Sequence, residues 1–79
     1  MKPTKMELIN RNGCVCMLCG RDVGKHIQWH HIVPRSAGGT DTYENGSLLC
    51  PLCHVIIHDY LYGTDVYQEM TEKILANKK

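Results

Sequence analysis

Two Cys-x-x-Cys pairs, Cys16/Cys19 and Cys50/Cys53, stand 30 residues apart in a chain of only 79. No other feature constrains the fold as much. Each pair presents two thiolates at a spacing that lets both reach one tetrahedral Zn²⁺ at about 2.3 Å, and two pairs complete a Cys₄ set with no open position. A closed set of that kind is structural. It obliges the intervening residues to leave one point and return to it, and its binding adds an apparent free energy on the order of 10 kcal/mol to folding. A chain this short needs such help, because it buries only about 60% of the surface its unfolded form exposes. The apolar inventory is thin as well, with no Phe and one Trp. A disulfide framework fits less well: the cysteines number five, which leaves Cys14 over as a buried or idle thiol. Met1-Lys2-Pro3-Thr4-Lys5 leads into no apolar run of the signal-peptide kind, and no stretch reads as a membrane span. The expectation is a cytoplasmic chain whose thiols stay reduced and bind metal.

No repeat, low-complexity tract or linker divides the sequence, so residues 1–79 read as one domain with its core over 14–62. Thr4-x-x-Glu7 has the form of a capping box opening a first helix, with Met6, Ile9 and Leu8 as its apolar stripe and Asn12-Gly13 as its end. Residues 27–33 mix β-branched and aromatic side chains and predict a strand that Pro34 stops. Ser47-Leu48-Leu49 predicts a second strand running back beside it. A helix follows from Pro51 to Gly63, since proline is tolerated in a first turn. Thr64 or Asp65 then caps a last helix with Val66, Met70 and Ile74 spaced four apart. The whole is a small zinc-stabilised α+β domain centred on a ββα unit.

Five histidines accompany the cysteines. His54 and His58 are four apart in the expected helix and share one of its faces. His30 and His31 are neighbours in the expected strand, so their imidazoles point to opposite sides of it. One of the two can join His54 and His58 while the other stays clear. Hydrolysis calls for that division, a ligand for an ion and a base for water. The cysteine spacing brings the parts together: the second knuckle opens the helix carrying His54 and His58, and the hairpin between the knuckles must fold back against it. A first ion thus organises a scaffold on which a second can do chemistry. Packing alone remains the competing account of His54 and His58, given the apolar residues between them.

Cys16-x-x-Cys19, His30-His31-Ile32-Val33-Pro34-Arg35-Ser36-x-Gly38-Gly39, Asn45-x-x-x-x-Cys50 and Cys50-x-x-Cys53-His54-x-x-x-His58 together resemble the HNH endonucleases, also called ββα-metal or His-Me finger nucleases. The resemblance covers residues 16–58. It implies a ββα-metal core with flanking N- and C-terminal helices, and it implies roles. His30 matches a metal ligand, His31 the general base, and Asn45 the residue that ties the loop and helps hold that base. His54 and His58 match the remaining ligands. Cleavage to 5′-phosphate and 3′-hydroxyl ends is implied too. Three imidazoles suit Mn²⁺, Ni²⁺, Co²⁺ or Zn²⁺ better than Mg²⁺, which prefers oxygen.

The net charge of +1 is weak support for a nucleic-acid partner, but residues 1–35 carry a net +4 and residues 36–79 a net −3. A phosphate-binding surface is therefore expected to be local, with Arg35, Lys25 and Arg21 as candidate backbone contacts. The leading expectation is a metal-dependent DNA endonuclease of low sequence specificity, acting as a monomer or homodimer in a bacterial or phage-infected cell. Two others stand beside it. One is a non-catalytic zinc module that binds nucleic acid or protein. The other is an accessory nuclease subunit of a larger DNA-processing complex such as a phage packaging terminase. An intact His31 beside three candidate ligands separates the first from the second.

Overall fold

The structure is a computed structural model describing residues 3–79, with side chains from residue 5 onward. Helix α1, Pro3–Asn12, is followed by the first cysteine knuckle, strand β1 (Gln28–His31), a loop, and strand β2 (Gly46–Leu49). Helix α2, Pro51–Val55, runs on as a π-helical segment over Ile56–Leu61, and helix α3 spans Asp65–Asn77. The strands form an antiparallel pair with Gln28 opposite Leu49 and His31 opposite Gly46.

A two-stranded hairpin is marginal by itself in water. Here all four residues of β2 are buried, and Leu48 and Leu49 share one core with side chains from the helices. Leu8 from α1, Met17 from the knuckle, Leu48 and Leu49 from β2, Ile57 from the π segment and Ile74 from α3 make one core. Leu8 rather than Met6 is the buried anchor of α1, since Leu8 is fully buried and Met6 exposed. The expected capping box rests on the side chain of Thr4, which lies outside the described residues. Gly13 ends α1 as expected, with a positive φ of 76° and its N–H donating to Ile9 O at 2.7 Å.

The first strand is shorter than the 27–33 of the sequence, although Ile32 N–H still donates to Asn45 O at 2.9 Å beyond its end. Thr64 caps α3, its hydroxyl accepting from Tyr67 N–H. Of the stripe on α3, Ile74 enters the core and Met70 packs at its edge, while Val66 stays exposed. Tyr67 Oη donates to Ile32 O at 3.2 Å and Asn77 Nδ2 to Met17 O at 2.7 Å, so α3 is fastened at one end to the hairpin and at the other to the first knuckle. Among the described residues no helix is long and apolar enough to cross a membrane.

Candidate metal centre

The knuckle at Cys16 is a tight hairpin. Cys16 N–H donates to Arg21 O at 2.9 Å, Gly20 N–H to Cys16 O at 3.0 Å, and Gly20 takes a φ of 80°. Leu18 and Cys19 N–H groups both point at Cys16 Sγ from 3.4 Å. The second knuckle repeats the device at a helix start: Cys50 is the cap of α2, Pro51 takes its first turn, and Cys53 N–H lies 3.4 Å from Cys50 Sγ. One backbone bond, Met17 N–H to Leu48 O at 2.8 Å, brings the knuckles together two residues before Cys50.

All four sulfurs then fall within 4.8 Å of one another, with Cys19 and Cys50 Sγ 3.7 Å apart. Tetrahedral Zn–S bonds of about 2.3 Å call for sulfurs roughly 3.8 Å apart, so the four thiols fit the ion. Electrostatics agree. Burial acts to raise the pKa of Cys16, yet the backbone N–H groups aimed at its sulfur bring it down to about 7. Burial and the thiols around it push Cys53 far up instead. Four thiols this close together cannot all ionise unless a cation shares their space. Cys14 is half-buried and packs at the edge of the core.

Strand alternation separates the two adjacent histidines. His30 points inward from β1 and is 1% exposed. His54 on α2 and His58 in the π segment reach it there: the three rings stand edge to face with centroids 4.6 to 5.4 Å apart. Their nitrogens lie within 4.8 Å of one another. His30 Nδ1 is buried without a hydrogen-bond partner. A buried polar atom left in that state is costly unless something occupies it, and three converging imidazole nitrogens with such an orphan among them suit a divalent transition metal. Burial, followed by the repulsion expected from His54, His58 and His31, holds His30 down at about 3, and burial lowers His54 as well. Both are therefore neutral at pH 7, as ligands must be. Since His54 is half-buried and His58 exposed, the cluster opens toward solvent on the helix side.

His31 faces the other way, its ring edge against Trp29 at 4.3 Å between centroids. Its Nε2 lies 2.6 Å from Asp41 Oδ1. A carboxylate only accepts, so Nε2 carries the proton and Nδ1 keeps a lone pair. Asn45 spans the loop between the strands: its Oδ1 accepts from Val33 N–H at 2.8 Å, and its Nδ2 donates to Val33 O at 3.0 Å and Thr40 O at 2.8 Å. Gly39 lets the chain pass here, because a Cβ at that position would fall 1.7 Å from Val33 O. Arg35 begins a single 3₁₀ turn, Arg35–Ala37, just past Pro34, and it is exposed like Arg21 and Lys25. Trp29 belongs to the packed edge of the core. Two contacts of this region are absent from the sequence reading, Asp41 on His31 and Gln28 Oε1 on His54 Nδ1 at 2.5 Å. For Gln28 a signal existed, since residues 28 and 30 of a strand share a face.

Residues 16–60 match the family described as HNH endonuclease. The chain is also similar to the type IV methyl-directed restriction enzyme EcoKMcrA of Escherichia coli, 33% identical over 80 aligned residues that cover 92% of this chain and 27% of that enzyme. Anaredoxin of a Nostoc species is similar as well, 28% identical over 67 residues, covering 85% of this chain and 87% of that protein. The chain thus spans about a quarter of the restriction enzyme and most of the length of the second relative.

Proposed function

The chain belongs to the HNH endonuclease family, and from that membership we propose that it hydrolyses DNA phosphodiester bonds with one divalent cation at His30, His54 and His58 and with His31 as general base. The observation that carries this reading is the split of neighbouring histidines. His30 is buried among two further imidazoles, and His31 stands outside them against a carboxylate.

The roles follow from the chemistry of each group. His31 presents Nδ1 with a lone pair, and an imidazole in that form is a suitable acceptor for the proton of an attacking water. Asp41 fixes the tautomer through Nε2 and stabilises the imidazolium that forms. Asn45 holds Val33 and Thr40 together and so sets the course of the loop that delivers Asp41. A divalent cation held by His30, His54 and His58 would supply positive charge to the scissile phosphate and its leaving oxygen. Arg35, Lys25 and Arg21 are proposed to contact the backbone of DNA, with products bearing 5′-phosphate and 3′-hydroxyl ends. Low sequence specificity, a single domain over residues 1–79, and the choice between a free-standing nuclease and a subunit of a packaging terminase belong to the same proposal.

Plasmid nicking tests it. Zinc-loaded protein is expected to nick supercoiled DNA with added Mn²⁺, Ni²⁺ or Co²⁺ and less with Mg²⁺, and to stop on addition of EDTA. His31→Ala should lower the rate by roughly 10²–10⁴-fold, the usual worth of a positioned base, while retaining its zinc and its thermal transition. A zinc-loaded, folded wild type that nicks no DNA with any of these ions would leave the non-catalytic zinc module as the correct reading, and a folded His31→Ala protein that nicks as fast as wild type would overturn His31 as the base.

A further inference from the structure

Strand β1 sends a second side chain toward the histidine cluster. Gln28 precedes His30 by two residues, shares its face of the strand, and is half-buried. It pairs with Leu49, the residue just before Cys50, so the Cys₄ knuckle anchors its backbone. Its Oε1 reaches His54 Nδ1 at 2.5 Å across the gap from β1 to α2. A carboxamide oxygen accepts and cannot donate, so this contact puts the proton of neutral His54 on Nδ1. The lone pair then sits on Nε2. The opposite arrangement, with the amide nitrogen donating to Nδ1, would place an N–H on Nε2 and leave that atom unable to bind a cation.

We propose that Gln28 is a positioning residue of the metal centre, holding His54 in the Nδ1–H tautomer and in the ring orientation that offers Nε2 to an ion shared with His30 and His58. The proposal rests on reading that cluster as the site of the catalytic cation. Such outer partners of ligating histidines fix the tautomer and strengthen the ligand, and their loss typically weakens metal binding by roughly 10–100-fold. A neutral partner has one further consequence. A carboxylate at this position would offset part of the cation's charge, whereas Gln28 orients His54 and leaves that charge available to the phosphate.

Two measurements on the zinc-loaded full chain test this. Long-range ¹H–¹⁵N correlation at pH 7.5, without a second ion, reads the tautomer of His54 directly. Wild type and Gln28→Glu should show a protonated Nδ1 and an unprotonated Nε2, and Gln28→Ala should shift toward the Nε2–H form. Calorimetric titration with Ni²⁺, with zinc content checked afterwards, should show Gln28→Ala weaker by roughly 10–100-fold and Gln28→Glu at least as tight as wild type. A wild-type His54 protonated on Nε2 overturns the proposal. So does a Gln28→Ala protein with unchanged tautomer and affinity. If wild type itself takes up no Ni²⁺ beyond the Cys₄ site, the ion-site reading falls and this inference falls with it; the two failures are distinguished by the wild-type titration.

Discussion

His30 is buried to 1% exposure and faces two other imidazoles, so a proton on it is opposed by desolvation first and by its neighbours second. The consequence for stability has a definite sign. With a folded-state pKa of about 3 against an unfolded value of 6.5, the unfolded chain binds the extra proton between those limits. Stability is full above pH 6.5 and is lost progressively as the pH falls toward 3. By pH 5 the loss from this one group is about 2 kcal/mol. Protons also compete with zinc for the thiolates, so the comparison that isolates the imidazole is wild type against His30→Asn. Urea denaturation of both zinc-loaded proteins at pH 7.5 and 5 should show a smaller pH-dependent loss in the variant; equal losses would mean that His30 accepts a proton without penalty. At this scale the sequence is informative where a role depends on residue type and alternation. The opposed faces of His30 and His31 follow from strand geometry alone. Asp41 does not, because its meeting with His31 depends on the path of a loop held by Asn45 and Gly39, and nothing in residue type reports that path.

The hairpin works as an element only because its two faces are filled differently. On the inner face His30 meets α2 and the π segment, and on the outer face Trp29 and His31 pack edge to face. Trp29 also lies over Gly46, where a Cβ would come within 2.7 to 2.8 Å of its indole ring. That ring is wedged beside His31, so it has little freedom to withdraw. Gly46→Ala is expected to cost about 1–3 kcal/mol, the usual range for overpacking, and to displace Trp29. Trp29 is the chain's one tryptophan, so a shift in fluorescence emission reports the displacement and denaturant titration the energy. A variant with unchanged emission and stability would show that the outer face repacks freely. The elements themselves were largely legible: helix, knuckle, strand, loop, strand, helix and helix occur in the expected order. The π-helical course of Ile56–Leu61 was not. An i, i+4 pattern of histidines marks a helix without distinguishing a four-residue from a five-residue hydrogen-bond period. Within that segment Ile57 lies in the core while Ile56, like Leu52 and Val55 of α2, stays exposed.

Across the whole molecule the two candidate metal centres depend on each other in one direction. The Cys₄ site joins residues 16–19 to residues 50–53, and through Met17 and Leu48 it fixes β2 against the first knuckle. Each histidine of the second cluster is placed by something that hangs from this junction: His30 by the strand paired to β2, and His54 and His58 by the helix that begins at Cys50. Fastenings elsewhere support the same frame. Tyr43 is flanked by Arg11 at 4.6 Å and Lys78 at 4.5 Å, which draws the end of α1, the loop and the end of α3 together. None of these contacts is comparable to a structural zinc site, whose binding free energy is largely folding free energy in a domain of this size. The coupling should therefore be asymmetric. Stripping zinc under reducing conditions is expected to abolish the cooperative thermal transition and with it all Ni²⁺ binding at the histidines, because the three imidazoles are no longer held together. His58→Ala, which removes an exposed member of the second cluster, should lose Ni²⁺ affinity yet keep its zinc and unfold at nearly the wild-type temperature. Circular dichroism, metal analysis and Ni²⁺ titration on the two preparations decide it. A zinc-free chain that still folds and binds Ni²⁺ would show that the core alone, centred on Leu8, Leu48, Ile57 and Ile74, suffices to assemble the site.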